Sequence, residues 1–228
     1  MVSEEYVFVP VMKDKKVSGI VSIPDDFEYG VSPAVIIAHG AGNGMFHPLL
    51  AHMANVLAAT GYLCMRFNFL YRDEDRKSPD GDGVLEATWM HVHQFLRDHP
   101  IYKPSSIVAA GKSLGGRIAV QTAAEGYMDI RGIIFLGYPL HAPGRKQNLQ
   151  DTHLYRLRVP MLFFAGSNDV FCDIEELQGV LAKIDAPCIL EVIEGGDHSF
   201  KLSASSGISE KQVYAKILGS TLSWLKTV

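Results

Sequence analysis

The stretch SSIVAAGKSLGGRIAV, Ser105 to Val120, decides the fold, because its Gly-Lys-Ser fits two motifs that each join a strand to a helix. One is the phosphate-cradling loop G-x-x-x-x-G-K-[ST], whose lysine reaches the terminal phosphates and whose hydroxyl holds magnesium. The other is the nucleophile elbow G-x-S-x-G. Counting back from Gly111, the phosphate loop needs a glycine where Ser106 stands, and a flexible loop where Ile107-Val108-Ala109-Ala110 is an apolar run. Such a run reads as buried strand. A phosphate loop also needs an acid at the end of a neighbouring strand, and GIIFLGYP from Gly132 supplies none. The elbow fits letter by letter as Gly111, Lys112, Ser113, Leu114 and Gly115. Its serine sits in a strained backbone conformation that projects the hydroxyl from the turn. Bulky residues two positions either side would collide with the neighbouring strand and helix. Gly111, Gly115 and Gly116 remove those collisions.

The pattern is short, so its context decides. Outward from it, strand-like and helix-like periodicities alternate. Two early strands, Tyr6 to Val11 and Val17 to Ile23, flank the charged turn KDKK. AVIIAHG then reads as strand, Pro48 to Thr60 as helix, YLCMRFNF as strand and Leu85 to Arg97 as helix. After the elbow come the strands GIIFLGYP and PMLFFAGS, a helix from Ile174 to Ile184, the strand CILEVIE and an amphipathic helix from Glu210 to Leu225. Central strands that are apolar throughout, with helices between them, predict an α/β fold with a mostly parallel sheet covered on both faces. Ligands of such sheets bind at the carboxyl ends of the strands, where Ser113 falls.

At 228 residues with 47% hydrophobic content, a single α/β domain spanning 1–228 is expected. A net charge of −4 gives no basic footprint for nucleic acid, so the expected partners are small molecules or proteins. The first residues carry acids where a secretory signal has bases, and no apolar run reaches the length of a membrane span. Cys64, Cys172 and Cys188 are odd in number, widely spaced and set among apolar residues, which predicts reduced core thiols. A cytoplasmic protein is the expectation.

A serine hydroxyl is unreactive unless a base lies within hydrogen-bond reach and an acid orients that base. PMLFFAGS is followed by Asn168-Asp169, and CILEVIE by GGDHSF, which carries His198. Ser113, Asp169 and His198 are therefore the candidate triad. Gly195 and Gly196 let the histidine loop turn tightly, and Asp173 and Asp197 are competitors for the acid. The two oxyanion donors are assigned to the backbone N–H groups of Leu114, at the start of the helix after the elbow, and of Ala41 in AHGAGNG, with Gly42 as the alternate. That glycine loop fails as a dinucleotide fingerprint, since Met45 takes the place of the third glycine and RFNF ends in no acid. His91 and His93, two apart on a helix, face different ways, and His47 and His52 lack a metal-binding spacing. No cofactor or metal is expected.

The order Ser, Asp, His is that of the α/β-hydrolases, and the chain resembles that superfamily along nearly its whole length. More closely it resembles the dienelactone-hydrolase-like group, in particular the small testis-expressed/chromatin-complex (KANL-like) branch. The residues that carry this are HGAG at His39, RFNFLY at Arg66, GKSLGGR at Gly111, YPLHAPG at Tyr138, LFFAGSND at Leu162 and GGDHSF at Gly195. The resemblance implies a Ser-His-Asp hydrolase of esters or thioesters, or a non-catalytic scaffold that binds a partner protein. Dienelactone hydrolases proper carry a cysteine nucleophile, so Ser113 argues against dienelactone as substrate.

Where related hydrolases insert a helical cap, only LHAPGRKQNLQDTHLYRLR intervenes, so the cap is expected to be minimal. His141, Arg145 and Lys146 there, with Arg66, Arg72, Arg76 and Lys77 in RFNFLYRDEDRK, either line the mouth for an anionic substrate or belong to solvated loops offset by Asp73, Glu74 and Asp75. Lys112 either pairs with a surface carboxylate or assists an anionic substrate with its charge, and the structural role is the expectation.

Overall fold

The computed structural model describes residues 2–228. Eight strands form one sheet: β1 (Ser3–Met12), β2 (Lys15–Ile23), β3 (Ala34–Ala38), β4 (Leu63–Phe67), β5 (Ile107–Lys112), β6 (Gly132–Leu136), β7 (Met161–Gly166) and β8 (Cys188–Ile193). Their spatial order is β1-β2-β4-β3-β5-β6-β7-β8, with β1 and β2 antiparallel to their neighbours and the rest parallel. The parallel strands β3 to β7 are buried along their whole length, which is why they read as apolar runs, interrupted by Arg66 in β4 and ended by Lys112 in β5.

Among the described residues six α-helices flank the sheet: α1 (Pro48–Ala58), α2 (Leu70–Asp73), α3 (Asp82–Arg97), α4 (Leu114–Ala124), α5 (Ile174–Leu181) and α6 (Glu210–Leu225). On one face Leu49, Leu50 and Met53 of α1 and Ile217, Leu218 and Trp224 of α6 pack with Val35, Ile37, Val108 and Ala110. On the other, Trp89 and Val92 of α3, Ile118 of α4 and Leu177 of α5 pack with Ile36, Ala109, Ile133 and Phe163. This is the α/β-hydrolase arrangement. Between β6 and β7 only a three-residue 3-10 turn, Leu154–Arg156, intervenes, so the cap is minimal.

Local differences from the sequence reading have physical causes. Helix α3 starts at Asp82, three residues before Leu85, because its first turn is polar and partly exposed and shows no apolar period. The early strands extend to Ser3 and Lys15, carried by the antiparallel ladder through exposed positions. Helix α5 stops at Leu181 instead of Ile184. The four-residue α2 is too short to show a period. Cys64 and Cys172 are buried free thiols and Cys188 a half-buried one.

Candidate active site

Ser113 follows β5 at φ 48°, ψ −115°, and α4 begins on the next residue. The backbone room comes from its glycines. A Cβ on Gly111 would lie 2.2 Å from the Gly116 nitrogen, and one on Gly115 2.7 Å from the carbonyl oxygens of Ala38 and His39. The turn is pinned by the Ser113 N–H to the Leu136 carbonyl at 3.1 Å and by the buried Trp89 indole N–H to the Gly115 carbonyl at 3.0 Å.

The ends of β7 and β8 bring the other two candidates to it. His198 Nε2 lies 2.8 Å from Ser113 Oγ, and Nδ1 2.7 Å from Asp169 Oδ2. The Asp169 carboxylate is fully shielded from solvent, and its second oxygen accepts the Phe171 N–H at 2.8 Å. These partners fix one tautomer, with Nδ1–H donating to Asp169 and Nε2 accepting from the serine hydroxyl. The Phe171 ring lies 4.6 Å from the imidazole. The competing acids are engaged elsewhere: Asp173 caps α5 and pairs with Lys146, and Asp197 accepts the N–H groups of Ser199 and Lys201.

The glycine loop after β3 leans on the elbow, since a Cβ on Gly40 would stand 3.5 Å from the Ser113 Cβ. The N–H groups of Ala41 and Gly42 make no hydrogen bond among the described residues. Leu114 opens α4, so its N–H has no acceptor within the helix. Two residues that sequence reasoning passed over hold this loop. Buried His39 bonds the Gly40 carbonyl through Nδ1 at 2.8 Å and accepts the Phe69 N–H on Nε2 at 3.1 Å. Burial holds its pKa down to about 4, so it stays neutral in this bridging role. The Tyr71 hydroxyl donates to the Ala41 carbonyl at 2.8 Å. Both belong to the quoted HGAG and RFNFLY segments, where a polar residue among apolar ones was the available signal.

Several basic residues are not where the sequence suggested. Arg66 is buried, bonded to Glu4 at 2.6 Å and to the Met45 carbonyl, because its strand lies inside the sheet. His141 is buried and accepts the Asp173 N–H. Arg76 pairs with Glu74 and Asp80, and Lys146 with Asp173. Arg72 is half-buried with its Nε unpartnered beside Gly44, while Lys77 and Arg145 are exposed. Lys112 does not pair with a surface carboxylate: it is 2% exposed, and its Nζ donates to the His198 carbonyl at 3.2 Å. His91 and His93 bond the carbonyls of Ala87 and Asp129.

Sheet order, elbow and strand-end loops define an α/β-hydrolase class of protein. The chain belongs to the α/β hydrolase domain family, whose model matches residues 31–226. It is similar to a Mycobacterium tuberculosis H37Rv protein named as a candidate phosphoribosyl transferase, 24% identical over 169 residues, which are 73% of this chain and 36% of that one. The chain thus spans about a third of the length of the curated relatives it matches. Among solved structures, a dienelactone hydrolase from Anabaena variabilis superposes with a TM-score of 0.80 at 21% identity, covering 99% of this chain and 98% of that one. Est1E from Butyrivibrio proteoclasticus, with ferulic acid bound, gives 0.76 at 14% identity over 96% and 99%. A serine hydrolase without a lid from Xanthomonas campestris gives 0.70 at 18% identity over 96% and 91%. At these identities the likeness is one of fold. Among the described residues no helix is long and apolar enough to cross a membrane.

Proposed function

We propose that the chain is a serine hydrolase that cleaves an ester or thioester through an acyl-enzyme on Ser113. The observation that supports this most is the chain of contacts from Ser113 Oγ through the His198 ring to the shielded Asp169 carboxylate, at 2.8 and 2.7 Å. Oγ attacks the substrate carbonyl carbon while Nε2 takes the hydroxyl proton, and Asp169 stabilises the imidazolium that forms. The oxyanion accepts hydrogen bonds from the N–H groups of Leu114 and Ala41, each donor being typically worth about 3 kcal/mol of barrier. Collapse of the tetrahedral species breaks the bond to the leaving alkoxide or thiolate, which receives the proton from Nε2. Water, deprotonated by the same nitrogen, then releases the acid and restores Ser113. No step requires a cofactor. The narrower placement in the testis-expressed/chromatin-complex branch rests on the quoted motifs alone.

Intact-mass labelling with a fluorophosphonate probe tests this. One adduct is expected on the wild type, and none on Ser113→Ala or His198→Ala, both still folded by circular dichroism. A wild type that takes no adduct, yet retains a stoichiometric protein partner in the Ser113→Ala form, would replace the enzyme reading with a scaffold.

A further inference from the structure

We propose that Lys112 is a positioning residue for His198, its ammonium holding the His198 carbonyl and so fixing how the imidazole meets Ser113. This rests on the hydrolase reading above and adds a residue to it.

The ammonium has an unusual setting. Lys112 ends β5 and its side chain runs beneath the histidine loop instead of reaching solvent. Burying a cation costs several kcal/mol unless it is paired. Among the described residues Lys112 has no carboxylate within salt-bridge distance, and the His198 carbonyl is its one hydrogen-bond acceptor. The charged and titratable groups facing it come from three other segments: His47 before α1, Asp169 after β7 and Asp197 in the histidine loop. The two carboxylates favour its charge from a distance, and the Phe200 ring lies 5.9 Å away. A surface tether needs none of this.

The loop, for its part, needs a fastening at this point. Asp197 ties its flanks through the N–H groups of Ser199 and Lys201, and Phe200 is held at φ 63°. The carbonyl of His198 lies between those ties and is bonded only by Lys112 among the described residues. It also rests on Gly137, at φ 73°, where a Cβ would come within 3.0 Å of that oxygen and within 3.5 Å of His198 Nδ1. Lys112 and Gly137 thus both meet the His198 carbonyl, and Gly137 also lies against the ring. Because Lys112 and Ser113 are adjacent on one strand end, base and nucleophile are referenced to the same rigid backbone.

The test compares wild type, Lys112→Met and Lys112→Arg by time-resolved fluorophosphonate labelling and by the low-field NMR signal of the His198 Nδ1 proton. Wild type comes first, since absence of a Ser113 adduct there removes the hydrolase reading itself. With wild type labelled, Lys112→Met is expected to reach the same final stoichiometry, with a rate constant on the order of ten- to a hundredfold lower. Its Nδ1 proton signal should shift or broaden, and Lys112→Arg should recover part of the rate. A purely structural lysine would lower the labelled fraction and leave the rate constant and the proton signal of the folded molecules unchanged; that outcome overturns the proposal. Lys112→Gln is carried alongside, and failure of both neutral variants to fold would equally make Lys112 a folding group and end it.

Discussion

His39 shows how much of the site depends on residues that carry no reaction step. Its ring must stay neutral to accept the Phe69 N–H while donating to Gly40, and it does so down to about pH 4. The unfolded imidazole takes up its proton near 6.5. Between those values the unfolded chain binds more protons, so stability is complete above pH 6.5 and is lost as pH falls toward 4, by on the order of 3 kcal/mol for this group. His47, His93 and His99, also held below their ordinary values by burial, act in the same direction. Urea unfolding across that range should therefore show a shallower pH slope for His39→Asn than for wild type; equal slopes would remove His39 from the account. Tyr71→Phe loses only the hydroxyl that holds the Ala41 carbonyl. A net loss of about 1 kcal/mol is expected in urea, together with a lower kcat at similar KM if Ala41 supplies an oxyanion donor. At this scale the sequence was partly legible. The candidates Ser113, Asp169 and His198 could be picked out because they fall one, three and five residues after the recognisable strands β5, β7 and β8. His39 and Tyr71 could not be assigned roles and Lys112 was given the wrong partner, because burial against a segment that is distant in sequence leaves no periodic trace.

Among the elements, legibility followed burial. The runs AVIIA, IVAAG, GIIFL and MLFFAG were readable as parallel strands because both their faces are covered, and α6 because Val213, Ile217 and Trp224 repeat along one side. What was missed lies where hydrogen bonding, without an apolar pattern, sets the structure, as in α2 and the first turn of α3. Arg66 fits neither of its two expectations, mouth residue or solvated loop residue, because the Glu4 carboxylate from β1 meets it inside the sheet. The end of β6 carries its own prediction. Gly137→Ala places a side chain at φ 73° against the His198 carbonyl. The left-handed conformation alone costs roughly 1–2 kcal/mol, and the displaced loop should slow fluorophosphonate labelling more than that loss of stability explains. Ser209→Ala provides the contrast. It removes the capping box with Gln212 at the start of α6 and should cost about 1 kcal/mol without changing the labelling rate.

For the whole molecule, the decisive feature is how little covers the strand ends. The 137–160 connection contributes one 3-10 turn, Ala41 and Val170 are exposed beside the site, and His198 itself reaches solvent with 19% of its side chain. Concavities of about 480 and 420 Å³ open elsewhere, between β1 and α3 and between β8 and α6, and neither is lined by Ser113 or His198. An enclosed acyl pocket would gain about 0.8 kcal/mol for each methylene it buries, nearly fourfold in kcat/KM per carbon. On an open face an acyl chain keeps most of its contact with water, so the increment must be far smaller. Across p-nitrophenyl esters from acetate to octanoate, kcat/KM is therefore expected to change by less than about twofold per added methylene. A steep rise with chain length followed by a sharp cut-off would show instead that the loops around Ala41 and Val170 close into a pocket when substrate binds. The same series made as thioesters separates the two leaving-group classes. With both acyl groups equally exposed, any preference must arise at the departing atom, where proton delivery from His198 matters for an alkoxide and far less for a thiolate. Wild-type acylation that is faster on thioesters than on the matched esters would locate the preference at that departure.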